Sequence, residues 1–557
     1  MKKLLLSVLT LGLLLATANV CPAQTEMKPL LTVSFAGYDK LMSDIGVVGQ
    51  LSGNPDLGVG LEMMLKMMTQ GKGLAGLDAK QPWAVVVMTD GQRSFTMYGF
   101  LPVTDLKQLI DIAKSLPQLD EAIKLNGDVY EIPAGGQTIF VKQIGNWAVV
   151  ANKSDDLANA PTDPLKLIGD LPKQYDLAYR VSVKNAPKEY REQFLAQFNA
   201  IVEVSTPQAD EESDEEHAIR VKMIRQAAEK LTSLVNELDD IMLAGLIDPA
   251  TKTLHVDFEM TAQPGTKLAE QFSVAKSSKT DLAGLLAPGA AITGNWTDTL
   301  PDSDVAEIKS GLALVRTALV KGLQGKGLTE AQTKLASDVL NDIIDVLEKT
   351  AETKKTDIGV RVLLDSETAT LVAGIAISEG AKLEKAIKRL VDTVQQEDAE
   401  LGKSVKLNAE TYEDVRLHSF TVPTPDQKLA TMVGDTLEVV LGIGNDRVLI
   451  GVGRDAAKSL KKAIDQSKGA APKEVLPLQI TVAVTPIAKF IAEVDEDDET
   501  VAAAGKLAEA LKKAGDKDHV LITRQSISHG FRLRVEVEEG VLKALVSMTP
   551  MGLMSAR

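Results

Sequence analysis

The sequence predicts an α+β fold: two tandem copies of a mostly antiparallel sheet with helices packed on one side. Three observations carry this. Strand-turn-strand patterns dominate, one order of elements runs twice along the chain, and the pentapeptide QGKGL at residues 70–74 recurs at residues 324–328. The expected organisation is a leader at 1–23, a first copy at 28–280, a linker at 281–289 and a second copy at 290–557.

The chain begins MKKLLLSVLTLGLLLATANVCPAQ. Lys2 and Lys3 precede an apolar run from Leu4 to Ala16, and small residues follow, which is the order of a secretory signal peptide. Cleavage is expected after Ala23, with Cys21 at −3 and Ala23 at −1; a cut after Ala18 is the alternative. A lipid anchor at Cys21 is not expected, because Val20 stands where a lipoprotein signal needs a small residue. The apolar run is too short to span a bilayer, and no later run reaches the roughly 20 residues a span requires. The mature chain is expected to be periplasmic or secreted, without a transmembrane segment.

The two copies match in order. An apolar helical run precedes each QGKGL: GVGLEMMLKMMT in the first and GLALVRTALVKGL in the second. A hairpin follows, WAVVVMTDGQRSFTMYGFLPV against IGVRVLLDSETATLVAGIAIS, which sets Asp90 against Asp365 and Gly99 against Gly374. Next come the helices DLKQLIDIAKSL and AKLEKAIKRLVDTV. IGNWAVVANKSDDL then aligns with IGNDRVLIGVGRDAAKSL, setting Asp155 against Asp455. A lone strand (DLAYRVSV, LQITVAV), a helix and an acidic run (Glu203 against Glu493) and a final hairpin complete each copy. The second copy inserts a helix, TEAQTKLASDVLNDIIDVLEK. Thr329 and Gln332 have capping-box spacing there, and Leu335, Val339, Ile343 and Val346 form one stripe. The linker DLAGLLAPGAA is punctuated by Pro288 and Gly289. In TLHVDFEM, Leu254, Val256 and Phe258 alternate with His255, Asp257 and Glu259, which predicts one buried and one wetter face.

Composition removes several chemistries. Cys21 is the only cysteine, so the mature chain has no disulfide, thiolate metal site or cysteine nucleophile. The net charge is −16, and loss of Lys2 and Lys3 with the leader makes it more negative. Such a surface repels nucleic acid and anionic lipid. Aromatic residues are only 4%, poor material for stacking sugars or bases.

The candidate sites are few. GKGLAG at 71–76 has dinucleotide-fingerprint spacing, but the helix lies before the glycines and not after them, so the expected role is a helix stop. No histidine pair has zincin spacing, and neither metal nor cofactor is expected. The acidic runs around Asp210, Glu211 and Glu212, and around Asp495, Glu496, Asp497 and Asp498, could weakly attract cations. They lack the alternating ligands and central glycine of a calcium loop, and also read as solvated connections. No G-x-S-x-G elbow is present. Met63, Met64, Met67 and Met68 share one helix with Leu57, Leu61 and Leu65. Two readings stand: a helix buried against the sheet, or an apolar groove for a hydrophobic ligand or partner helix, since thioethers repack easily.

The leader, the acidic cysteine-poor body and the paired hairpins with QGKGL-like turns resemble uncharacterised exported tandem α+β proteins of planctomycete-type bacteria. That resemblance implies no substrate and no functional residues. The expected function is an exported, non-enzymatic binding or scaffold protein with an unknown protein or small apolar ligand as partner. The alternatives are a periplasmic carrier of an apolar ligand on the methionine helix, and a hydrolase whose carboxylates the sequence does not single out.

Overall fold

The computed structural model describes residues 26–114, 123–134, 136–209, 212–274, 278–324, 329–365, 368–397, 404–424, 430, 434–470, 472–495, 497–512, 515 and 517–547. The leader with Cys21, residues 325–328 of the second QGKGL, and Asp210, Glu211 and Glu496 lie outside the described residues.

The chain opens with β1 (Lys28–Phe35), α1 (Tyr38–Leu51), α2 (Leu57–Met68), β2 (Trp83–Thr89), β3 (Phe95–Pro102) and α3 (Leu106–Lys114). Four strands follow: β4 (Lys124–Asn126), β5 (Val129–Ala134), β6 (Gln137–Ile144) and β7 (Trp147–Ala151). Then come α4 (Pro164–Ile168), α5 (Leu171–Gln174), β8 (Leu177–Ser182), α6 (Lys188–Val204), α7 (Asp214–Glu237), β9 (Leu238–Asp248) and β10 (Thr253–Ala262). The middle of the chain forms α8 (Lys267–Val274), β11 (Ser278–Thr280), β12 (Ile292–Thr299), α9 (Asp302–Gln324), α10 (Glu330–Glu352), β13 (Lys355–Leu364), β14 (Ala369–Ala376) and α11 (Gly380–Glu397). The rest is β15 (Val405–Tyr412), β16 (Val415–Pro423), β17 (Thr436–Ile443), β18 (Arg447–Gly453), α12 (Ala456–Ala470), β19 (Lys473–Val475), β20 (Leu478–Ala483), α13 (Val484–Val494), α14 (Asp498–Lys512), β21 (His519–Ile527), β22 (Gly530–Val537) and α15 (Glu539–Ser547).

Local chemistry explains several boundaries. Asp90 turns the β2–β3 hairpin: its Oδ1 accepts from the amides of Gln92 (2.8 Å) and Ser94 (3.2 Å). Thr329 and Gln332 form the expected capping box at the start of α10. The first QGKGL ends α2: Gln70, Gly71 and Gly73 all have positive φ, and the Gly71 amide donates to Lys66 O at 2.7 Å. Gly76 has a separate duty. Its carbonyl accepts from the amides of Thr104 and Asp105 at the start of α3, and a Cβ there would lie 2.3 Å from Asp105 O. The amides of Gly71, Lys72, Ala75 and Leu77 are engaged within this turn or by the end of α2.

The chain divides into two compact units. The first comprises the described residues within 1–196, 235–264 and 536–557; the second comprises those within 197–234 and 265–535. In the first, the strands run in the order β4-β5-β6-β7-β3-β2-β1-β8-β9-β10, all antiparallel. In the second, nine strands run β15-β16-β17-β18-β14-β13-β12-β20-β21, again antiparallel, and β11 pairs separately with β19. The fold is thus mixed α+β with a mostly antiparallel sheet.

Each unit buries its own core. In the first, Phe100, Val149, Val86 and Ile168 gather under α4, and Leu106 and Ile110 of α3 pack with Val141 and Ala148. In the second, Leu460, Ala463 and Ile464 of α12 pack on Val372, Val440 and Leu449. Leu282 and Leu285, within the expected linker 281–289, are buried in that same core. Gly284 sits so close to α12 that a Cβ would be 2.1 Å from Ala463 O. Burying a leucine contributes about 1.5–3 kcal/mol, which favours a packed turn over a free tether.

Candidate functional site

β8, β9 and β10 lie side by side at one end of the first unit's sheet. Arg180 pairs with Met242, and Met242 pairs with Glu259, so the three side chains occupy one face in one row. One step along, Ala178, Ala244 and Asp257 form the next row on that face. The segment from Leu171 to Tyr175 covers these rows, and Leu171, Tyr175, Ala178, Met242 and Ala244 form one buried cluster.

The wetter face expected for His255, Asp257 and Glu259 is therefore the covered one here. Asp257 is completely buried and accepts from the Tyr175 hydroxyl at 2.8 Å. On the opposite face Val181 and Leu243 are exposed. Strand alternation separates two faces but does not say which one a neighbouring segment will cover.

Between this face and the covering segment lies a cavity of about 280 Å³. Asp170, Arg180, Asp240 and Glu259 supply its charges, and Leu171, Tyr175 and Met242 its apolar wall. Arg180 Nη2 donates to Leu167 O at 2.7 Å, whereas its Nε is buried with no hydrogen-bond partner. Asp240 Oδ1 is likewise buried and unpartnered. The Tyr175 hydroxyl lies 2.8 Å from Asp257 Oδ2 and 3.3 Å from Glu259 Oε1. Buried polar atoms left without partners are costly, and they mark places where a bound molecule gains most.

The covering segment is anchored by charge. The Asp176 amide donates to Gly245 O at 2.9 Å, and Asp176 Oδ2 accepts from the Ile247 amide at 2.6 Å. Lys40 of α1 pairs with both Asp44 and Asp176. Burial, together with the Asp176 carboxylate, pushes Asp44 up to about 6 despite the lysine.

Comparison with known proteins found no matching family model, no matching curated protein and no matching solved structure.

A larger cavity, about 300 Å³, lies in the second unit, but its charges are mutually satisfied. Lys355 pairs with Asp281 at 2.8 Å, and Arg447 with Asp446 at 2.8 Å. Asp357, fully buried beside it, accepts from Thr280 Oγ1, Thr297 Oγ1 and the Asp281 amide.

The residues singled out in the sequence lie elsewhere. Met63, Met64, Met67 and Met68 are on α2, which has no buried residue; Met63 is 60% and Met67 74% exposed. This corrects the buried-helix reading, because nothing in the first unit covers that side of α2. A cavity of about 190 Å³ beside α2 is lined by Tyr38, Leu65, Leu74 and Leu77, and by none of the four methionines.

The acidic runs serve their own helices. Arg220 holds the Glu212 carboxyl down at about 2 through a charge-assisted hydrogen bond. Asp497 accepts from the Thr500 amide and hydroxyl at the start of α14, with Asp498 in the first turn, and Asp495 accepts from the Asp497 amide. Among the described residues no group of three or more His, Cys, Asp or Glu could hold a metal ion. Among them, too, no helix is long and apolar enough to cross a membrane.

Arg180 and Asp240 were not singled out in the sequence, and Glu259 was read only as part of a wetter strand face. The available signal was one arginine inside the apolar strand LAYRVS, where an unpaired charge has no structural reason.

Proposed function

We propose that this chain is an exported, non-enzymatic binding protein that takes a small charged solute in the cavity of its first unit. The observation that supports this is the pair of buried, unpartnered atoms, Arg180 Nε and Asp240 Oδ1, on the wall of one 280 Å³ cavity. Pockets of this size commonly hold small molecules. Binding should raise the thermal midpoint of the full chain, and Arg180→Gln or Asp240→Asn should remove the rise. An unchanged rise in both variants would place the binding elsewhere.

A scaffold role is supported by α2, where Val59, Met63 and Met67 repeat at four-residue spacing and are exposed with Met64 and Met68. The apolar-carrier reading has less support, since the cavity beside α2 excludes the methionines. Met64→Asp with Met67→Asp distinguishes them: a carrier loses its co-purifying ligand, whereas the solute site is untouched.

Export rests on the leader. The amino terminus of the mature chain should begin at Gln24, and an intact Met1 on the recovered protein would remove the proposal. Internal duplication is supported by the shared strand order: β4 to β9 occupy the same sequence of places in one sheet as β15 to β21 in the other. Superposing the two sheets strand for strand tests it, and mismatched strand directions would sink it.

A further inference from the structure

We infer that the solute is a zwitterion of the α-amino acid class with an apolar side chain; this deepens the binding reading above and rests on it. Arg180 on β8 and Glu259 on β10 share a row with Met242 between them. Neighbouring strands are spaced by about 4.8 Å, so the two backbones stand about 10 Å apart, with both side chains directed to the cavity. Asp240 lies on the same face, two residues before Met242.

No carboxylate forms an ion pair with Arg180 among the described residues, and Asp240 Oδ1 has no hydrogen-bond partner. A simple anion would suit Arg180 but would meet Asp170, Asp240 and Glu259. A simple cation would suit the carboxylates but would meet the guanidinium. A molecule carrying both charged groups on one carbon satisfies both ends. Its carboxylate faces the planar donors of Arg180, and its ammonium faces Asp240 and Glu259. The volume equals that of roughly nine liquid waters, room enough for an amino acid with an apolar side chain. Leu171, Met242 and the Tyr175 ring leave an apolar wall for the side chain.

The second unit has no arginine at the matching place. Thr481 of β20 lies between Thr293 and Leu521, as Arg180 lies between Thr32 and Met242, and it carries no charge. One ligand per chain follows.

The test is calorimetric titration of the full chain with the standard amino acids, and with leucine's two single-charge relatives, isoamylamine and 4-methylpentanoate. The inference expects an apolar amino acid to bind at one per chain, with both relatives at least about tenfold weaker. Arg180→Gln should lower the amino acid's affinity toward that of the amine, and Asp240→Asn toward that of the acid. Circular dichroism confirms that each variant is folded. Binding of the amine as tight as that of the amino acid, lost in Asp240→Asn, would overturn the zwitterion and leave the binding cavity standing. An amino acid that binds equally to the wild type and to both variants would overturn the assignment to this cavity. No binding by any of these probes would overturn the ligand class.

Discussion

Lys40 holds Asp44 and Asp176 together: its ammonium pairs with the first along α1 and lies 2.7 Å from the second, the residue next to Tyr175. The two carboxylates share one cation, and burial raises Asp44 above the usual carboxylate range. The covering segment of the cavity is tied to α1 through this triad.

That triad gives the first unit a dependence on pH. The folded chain holds the Asp44 proton up to about pH 6, whereas an unfolded aspartate releases it near 4. Asp44 therefore contributes stability that is full below about pH 4 and is lost as the pH rises through 6. Asp44→Asn should raise the thermal midpoint at pH 7.5, by about 2 kcal/mol of stability, and have little effect at pH 4. Midpoints measured across that range check it; an equal effect at both ends would contradict it.

The second unit should respond in the opposite sense. His418 is fully buried on β16, with Nδ1 accepting from the Asn408 amide at 3.3 Å and Nε2 3.8 Å from Glu384 Oε1. Burial holds its pKa below the ordinary value, and Lys388 and Arg416 add to that while Glu384 opposes it. The folded state thus takes up its proton later than the unfolded chain as pH falls. Stability is present above about pH 6.5 and declines below it. His418→Gln should flatten the decline between pH 6.5 and 5 in a denaturant titration.

Asp357 tests the cost of a broken polar core. Three donors converge on its carboxylate, from Thr280, Thr297 and the Asp281 amide. Asp357→Ala strands all three and should cost about 3 kcal/mol or more, whereas Thr297→Val removes one donor and should cost about 1 kcal/mol. Denaturant midpoints rank the two; equal losses would mean that the network is not shared.

The glycines of GKGLAG should not be equivalent. Gly73 has a φ of 59°, and an added Cβ would meet only Lys66 Cγ at an ordinary 3.7 Å, so Gly73→Ala should cost about 1 kcal/mol. Gly76 combines a φ of 92° with a backbone oxygen 2.3 Å from any added Cβ. Gly76→Ala should cost at least twice as much, because strain and overlap add. Thermal unfolding of the pair decides it.

Some of this was legible in residue order alone. The Thr329–Gln332 box, the Asp90 turn and the left-handed end of α2 depend on neighbours within a few residues, and periodicity finds such features. The α+β class follows for the same reason, since hairpins and amphipathic helices each have a local signature. Other features were set by partners far away in the chain. Leu282 and Leu285 read as a linker until α12 covers them, and the α2 methionines read as core until nothing does. The C-terminal helix α15 ends in the first unit, where Lys252 pairs with Glu539. The cavity is the sharpest case. Arg180, Met242 and Glu259 lie on three strands, and only the pairing register puts them in one row; only the Tyr175 segment decides that their charged face is the one enclosed. Sequence fixes which side chains alternate, but burial is a property of whatever packs on top, and that is decided in three dimensions.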